Sequence, residues 1–600
     1  MTELPDPVPR AFLNVEQSAI GQRWVSRLDQ AGLNRAMAMS QTHGLPDIVA
    51  RVLAGRDVTV SDAMAFLDPT LRNLMPDPLT LVDCGKAAVR LVDAIKRGER
   101  VAIFGDYDVD GASSSALLFR FLRHFGVTAE IYIPDRIYEG YGPNPAAINQ
   151  LIDRGAQLIV TVDCGSTSHE SLGAAEARGI DVVVIDHHQL AQPYPPCLAL
   201  VNPNRDDDLS GQGHLCAAGV VYLVLVATAR LMREAKDTRA YTLDLLAWLD
   251  IVALATVCDV VPLKGLNRAY VVKGLLAARH MGNAGLAALF RKAGLGGPVT
   301  AYHLGFLVGP RINAGGRIGD AALGSRLLTV DDPNEAEEIA SRLDELNRER
   351  QAMEAVMLEE AEAEVMAEYG DGEDASIIIT ARDNWHPGIA GLLASRLKER
   401  YRRPAFAIAF DAFGKGTGSG RSISGFDIGR MVRAAVEQGI LTKGGGHAMA
   451  AGLSVDRANL GRLRSFFEER ATKTVSHLVA AHTLDIDGAL GASGATLELI
   501  DRLESAGPYG AGHPQPVLAL PAHRIRDARM VGTNHVKVTL EAMDGARLDG
   551  IAFRAVGGPL GDLLLNGRGR TVHVAGSLSA DFWQGNRRVQ LRILDAAPAM

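Results

Sequence analysis

The sequence predicts an α/β protein of several domains: a parallel-sheet domain, a long helix joining it to a smaller α/β domain, and a β-barrel at the C-terminal end. Three observations predict this. Short β-branched runs alternate with helical stretches from about Lys86 onward, the pattern of a buried parallel sheet covered by helices. A charged segment with a helical apolar period separates that region from a second strand–helix alternation. The last hundred residues change to short strands divided by turns. The chain has 600 residues, too many for one core at roughly 100–200 residues per domain.

Residues 1–55 read as an N-terminal extension of mixed composition, and 56–332 as the first α/β domain. In that domain Arg100–Phe104, Leu158–Val162 and Asp181–Ile185 are the expected strands, with a helix from Ser113 to Phe125 after the first. Residues 242–258 read as a buried helix. From Pro333 to about Tyr369, Ile339, Leu343, Leu346, Met353 and Met357 form a stripe spaced by three, four and seven, so 333–370 is a connecting helix. Ser376–Thr380 and Pro404–Ile408 are strands of the second α/β domain, 371–475, with a helix from Gly388 to Tyr401. In 476–600, Val536–Leu540, Asp549–Phe553, Thr571–Ala575 and Arg588–Ile593 suggest a small OB-like barrel of the kind that binds oligonucleotides.

Composition excludes several classes. Five scattered cysteines without a CxxC pair are neither a disulfide framework nor a thiolate zinc site. Met1–Trp24 lacks the basic start and apolar run of a secretory signal. The longest apolar stretch, Leu215–Ala229, is shorter than the ~20 residues that span a bilayer, and reads as a buried helix. A cytoplasmic protein with no membrane partner is the expectation. The net charge of −8 does not point to nucleic acid, but residues 501–600 carry 12 Lys/Arg against 9 Asp/Glu. A mildly basic terminal unit on an acidic chain is compatible with binding a phosphate backbone.

The chemistry is concentrated at strand ends. The first strand runs into Gly105-Asp-Tyr-Asp-Val-Asp-Gly111, the second into Asp163-Cys-Gly165 and the third into Asp186-His-His188. The C-terminal edge of an open parallel sheet is where ligands bind. One Asp at a strand end is usually a turn or cap; three acidic ends in one sheet, one with paired histidines, point to a shared metal site. Carboxylate and imidazole donors without thiolate suit Mn²⁺ or Mg²⁺. Asp108 and Asp110 are two apart and share a face if that segment is strand-like. Asp259, after the buried helix, is a candidate further ligand. In the second α/β domain, His386–Gly391, Gly418-Ser-Gly-Arg-Ser422 and Gly444-Gly-Gly-His447 are glycine-rich. Glycine permits close backbone approach to a phosphate and Arg421 can pair with one bidentately.

These motifs resemble the DHH phosphoesterase superfamily, in the order Asp108-Val-Asp110, Asp163, Asp186-His-His188 and Asp259. Within it, Phe104–Gly111, Arg136–Gly142, Val201–Asn204 and Gly309–Arg317 are most similar to the RecJ exonucleases. The likeness runs from about residue 50 to 600 and makes the second α/β domain a DHH-associated domain. It implies a pair of Mn²⁺ or Mg²⁺ ions held by Asp106, Asp108, Asp110, Asp163, His187 and Asp259, with Asp163 bridging. It also implies catalytic roles for Asp110, Asp163 and His188, the last facing the scissile phosphate; His187 and His188 are interchangeable at this level. Arg136, Arg311, Arg317, Ser419, Arg421 and His447 would hold substrate phosphates, though for any one Arg a surface ion pair is the alternative. The implied reaction is 5′→3′ hydrolysis of single-stranded DNA to mononucleotides by a monomer, in repair and recombination, with a single-strand-binding protein and a helicase as further partners. Two other readings share these residues: a phosphodiesterase for short or cyclic oligonucleotides, and a DNA-binding scaffold without activity. The complete ligand set argues against the scaffold, and the extra barrel against a small substrate.

Overall fold

The computed structural model describes residues 10–599 except 136–138, 371–374, 481 and 584–585. The chain divides into two compact units, Leu71–Ala480 and a second one built from both Met1–Thr70 and Ala481–Met600.

In the first unit, β1 (Val101–Gly105) leads into α1 (Val109–His124) and β2 (Ala129–Tyr132). Then come β3 (Leu158–Val162), β4 (Asp181–Ile185) and β5 (Ala199–Val201). All pairings are parallel and the sheet order is β2-β1-β3-β4-β5. The β1 and β3 runs are buried throughout, which explains why they are continuously apolar rather than alternating. The chain reverses direction of travel across the sheet between β1 and β3, and a crevice at such a switch point is the expected ligand site. Helices α2 (Ala217–Glu234) and α3 (Leu249–Cys258) are core elements, so the apolar Leu215–Ala229 stretch is interior. Among the described residues no helix is long and apolar enough to cross a membrane.

Helix α4 (Gly309–Ile318) precedes α5 (Pro333–Tyr369), whose N-cap Asp332 accepts from Asn334 and Glu335 amides. Ile339, Leu343, Leu346 and Met357 of α5 are buried, as the stripe predicts. A second sheet holds β6 (Ile378–Asp383), β7 (Ala405–Phe410), β8 (Lys415–Arg421), β9 (Lys443–Gly446) and β10 (Ala450–Asp456), in the order β9-β10-β8-β7-β6. Only β6–β7 is parallel. Helix α6 (Pro387–Tyr401) covers it.

The second unit contains a five-stranded barrel. Leu518–Val531 pairs with His535–Glu541, that with Arg547–Ala552, and Asn586–Pro598 joins Arg547–Ala552 in parallel. Thr571–Trp583 then pairs with both Asn586–Pro598 and Leu518–Val531, closing the barrel. This is the topology of an OB fold, with a helix, Pro559–Leu565, between its third and fourth strands. Residues before 70 are not a separate extension. Arg23–Ser26 pairs in parallel with Thr483–Ile486, and fully buried Trp24 donates to Asp595 Oδ2 at 2.9 Å. Buried Asp487 meets both Arg27 and Arg56.

Candidate metal centre

The β1–α1 turn differs from the strand-like segment the spacing suggested. Asp108 is the N-cap of α1, its Oδ1 accepting from the Asp110 and Gly111 amides at 2.9 and 3.1 Å. A carboxylate is a favoured cap because it satisfies amides that have no helical partner. Asp110 therefore projects from the first turn of a helix. It is 1 % exposed, and its two oxygens accept from Ala217 and Ala218 amides at 2.6 and 2.8 Å, at the N-terminal end of α2. Gly111 lies against the Asp106 backbone: a Cβ there would stand 2.6 Å from the Asp106 carbonyl carbon. Asp163 leaves β3 in a left-handed conformation (φ 59). Asp259 is the C-cap of α3.

These elements converge on His187. Its Nε2 lies 3.3 Å from Asp163 Oδ1 and 3.7 Å from both Asp110 Oδ2 and Asp259 Oδ2. Its Nδ1 is 3.1 Å from the Leu215 carbonyl, which accepts the ring N–H. That tautomer leaves the Nε2 lone pair facing the acids, the arrangement found in metal-ligating histidines. Donor atoms of Asp110, His187 and Asp259 lie within 4.8 Å of one another, as do those of Asp163, His187 and His188, and of Asp106, Asp108 and Asp163.

The electrostatics ask for cations. Burial first, and then the neighbouring acids, push the Asp163 carboxyl far above the usual range and Asp259 up to about 9. Burial also raises Asp110, with Asp108 adding to it. Asp163 Oδ1 and Asp259 Oδ2 are buried and accept no hydrogen bond among the described residues. Clustered buried carboxylates are costly unless paired or coordinating, and carboxylate plus imidazole is a donor set for Mn²⁺ or Mg²⁺. The residues fit a divalent pair.

His188 is set apart. Its Nδ1 is 2.8 Å from Asp186 Oδ1, which also accepts from the His187 and His188 amides; Asp186 Oδ2 accepts from Ser166 N. Burial opposes ionisation of both, yet their hydrogen bond holds Asp186 below the usual carboxylate range and lifts His188 to about 9. The protonated form of His188 is thus favoured beside the acids.

The glycine-rich motifs come together in a second cluster in the same unit. Arg421 NH1 donates to Ser419 Oγ at 3.0 Å, and both side chains face Gly391 of α6, where a Cβ would meet Arg421 NH2 at 2.9 Å and Ser419 Oγ at 3.0 Å. Sheet register sets Gly446 opposite Ala451 and Ala451 opposite Gly420, so exposed His447 follows β9 at the Arg421 end of β8. Arg317 NH1 donates to the Gly388 carbonyl at 3.0 Å, in the first turn of α6. Arg311 is engaged elsewhere: its Nε donates to Asp344 of α5 at 2.9 Å and its NH1 to Leu307 O at 2.6 Å. It ties α4 to α5, the ion-pair alternative. Arg136 lies outside the described residues.

Comparison with known proteins agrees with this layout. Residues 100–256 match the DHH family N-terminal domain, 374–473 the DHHA1 domain and 486–595 the RecJ OB domain. The chain is 36 % identical over 569 residues to the single-stranded-DNA-specific exonuclease RecJ of Escherichia coli, covering 92 % of this chain and 95 % of that one. It belongs to the RecJ family. Crystal structures of Thermus thermophilus RecJ with Mn²⁺ and with Mg²⁺ superpose with TM-scores of 0.77 and 0.72. Their identities are 29 % and 28 %, and they cover 95 % and 96 % of this chain, and 78 % and 77 % of theirs.

Some residues of this RecJ-family site carried no assigned role in the sequence reading. Asp186 was read as part of a motif, and the structure makes it the anchor of His188. Asn202 Nδ2 donates to Ser166 Oγ and His188 O, both at 2.9 Å, and Asn204 Nδ2 donates to His187 O at 2.6 Å. Together they hold the histidine loop from its carbonyl side. The Val201-Asn-Pro-Asn204 run was the available signal. Tyr141, between left-handed Gly140 and Gly142, sets its hydroxyl 3.2 Å from both the Asp163 carbonyl and His188 Nδ1.

Proposed function

We propose that the chain is a metal-dependent exonuclease that hydrolyses single-stranded DNA 5′→3′ to mononucleotides, in DNA repair and recombination. The observation that carries this is the convergence of buried Asp110, Asp163 and Asp259 on His187 Nε2. The named activity of the 36 %-identical relative and the metal-bound structures support it. Asp106, Asp108, Asp110, Asp163, His187 and Asp259 would hold two Mn²⁺ or Mg²⁺ ions. Such a pair relieves charge on the attacking and leaving oxygens and lowers the pKa of water. Asp186 keeps His188 protonated and oriented, and His188 stabilises or protonates the leaving oxygen. Ser419 and Arg421 bind a substrate phosphate, with Arg317 and His447 beside them. The OB barrel supplies a further single-strand-binding surface on the chain. With DNA as its substrate, the protein would act in the cytoplasm.

Digestion of single-stranded DNA labelled at either end, with Mn²⁺, tests the reading. Stepwise release of mononucleotides from the 5′ end, abolished by Asp110→Ala, is expected. Release from the 3′ end would overturn the polarity, and no cleavage by folded, metal-loaded protein would overturn the assignment.

A further inference from the structure

The surface beside Asp259 carries a feature that the metal centre and the phosphate site do not use. His303–Val308, immediately before α4, is a π-helical turn. Such turns are rare and concentrate at functional sites. Leu304 and Val308 face inward, while Tyr302 and Phe306 stand out at 57 % and 69 % exposure. Their rings stack on each other, with centroids 5.0 Å apart and planes at 23°. His303 adds a third ring, edge-on to Tyr302, and its Nδ1 accepts from the Thr300 amide. Among the described residues no other two of the large exposed aromatic side chains stack on each other. Aromatics are only 5 % of this chain, so two on one exposed turn are unlike its general surface.

The turn is fixed to the metal centre. Cys258 Sγ donates to the Leu304 carbonyl at 3.4 Å, and Gly309 backs directly onto that sulfur. Gly305 lies on Val257. The next residue after Cys258 is Asp259. At its other end α4 is equally fixed: Gly316 lies on the Tyr107 carbonyl, and Arg317 contacts Gly388 at the start of α6. Helix α4, about 15 Å long at 1.5 Å per residue, therefore runs past the acids. The phosphate-binding Ser419–Arg421 region adjoins its C-terminal end through α6, and the aromatic pair sits at its N-terminal end.

We propose that Tyr302 and Phe306 form a stacking platform for a nucleobase of the strand that stays behind after each cut. The proposal rests on the exonuclease reading. A strand whose end phosphate is held by Ser419 and Arg421, and whose scissile bond lies at the acids, continues toward the other end of α4. Bases present an aromatic face whatever their identity, so stacking gives grip without sequence preference. An exposed pair of stacked rings suits that occupant. Repeated single-nucleotide steps need such a hold, because it carries the shortened strand into the next register.

The test is a comparison of substrates. Phe306→Ala and Tyr302→Ala replace exposed side chains, so folding is retained and is checked by thermal unfolding with and without Mn²⁺. The ratio of kcat/KM for a long oligonucleotide to that for a dinucleotide is expected to fall about tenfold, equivalent to ~1.4 kcal/mol. Phe306→Trp is expected to keep the ratio and to show tryptophan quenching when the oligonucleotide binds. Phe306→Leu keeps apolar area without a ring and should behave like Ala. An unchanged ratio in both alanine variants, or full activity in Phe306→Leu, would overturn the platform, and would leave the rings as a docking face for a protein. Failure of the wild-type protein to cut long single strands at all would instead overturn the exonuclease reading.

Discussion

Gly111→Ala tests whether the metal centre is positioned by backbone contact. Gly111 is helical and needs no unusual φ; what it needs is room. A Cβ would stand 2.6 and 2.7 Å from the Asp106 carbonyl carbon and Cα, where carbon atoms normally rest at about 3.5–4.0 Å. Those atoms are main chain and cannot rotate away, so the first turn of α1 must retreat by roughly 1 Å. That turn carries Asp108 and Asp110. The Asp110 bonds to Ala217 and Ala218, now 2.6 and 2.8 Å, would stretch beyond hydrogen-bond range. A misplacement of about 1 Å costs on the order of 100-fold in rate. Overpacking costs about 1–3 kcal/mol of stability, which a domain of this size survives. The assay is mononucleotide release under a Mn²⁺ titration, together with thermal unfolding of each variant. Gly461→Ala, where a Cβ would meet nothing within 4 Å, is the control and should be neutral or slightly stabilising. Activity of Gly111→Ala within threefold of wild type would refute the reasoning.

Three further outcomes follow from the same geometry. Asp163→Asn should abolish cleavage while raising the unfolding temperature of the metal-free protein near neutral pH, since it removes a buried carboxyl that must take up a proton on folding; a metal-free variant that melts lower would contradict this. In the metal-free protein Asp110, Asp163 and Asp259 have raised pKa values, so the folded state binds more protons than the unfolded state. That contribution is present below about pH 4 and is lost as pH rises through about 9 for Asp259, so the metal-free melting temperature should fall across this window. Mn²⁺ should flatten the fall and release protons on binding, read by calorimetry in buffers of different ionisation heat. Trp24→Phe removes the donor to buried Asp595 and should cost the barrel-containing unit about 1–3 kcal/mol in a denaturant titration, without altering metal binding.

The clustering of these acids and histidines was legible because several of them follow a run whose apolar character announces a buried element. Asp163 and Asp186 end β-branched strands, and Asp259 ends an apolar helix. The long helix was legible from its own period. What could not be read was local capping and pairing. Nothing in Asp108-Val-Asp110 says whether the helix begins before or after it; the decision lies in amide donors that Asp108 can cap and in Ala217 and Ala218, more than a hundred residues away. Arg311 looks like a phosphate ligand until Asp344 is seen opposite it. The barrel strand Leu518–Val531 was overlooked because Pro521 and left-handed Ala522 interrupt it, at the irregularity between Leu520 and His523. The partnership of residues before 70 with those after 481 has no local signature, because the apolar faces that join them meet residues more than 400 positions away.

That last arrangement orders events during synthesis. Val49, Val52 and Leu53 pack with Leu503 and Leu518, residues the ribosome makes more than 400 positions later. At about 5–20 residues per second, the early half waits roughly 20–90 s for its complement. The intervening segment has a complete core of its own and can fold in that interval. Once it has, the two waiting halves are tethered through a folded body instead of a long coil, which lowers the entropy cost of closing the loop. The nascent chain thus matures from the middle outward, its first-made residues among the last to find their place.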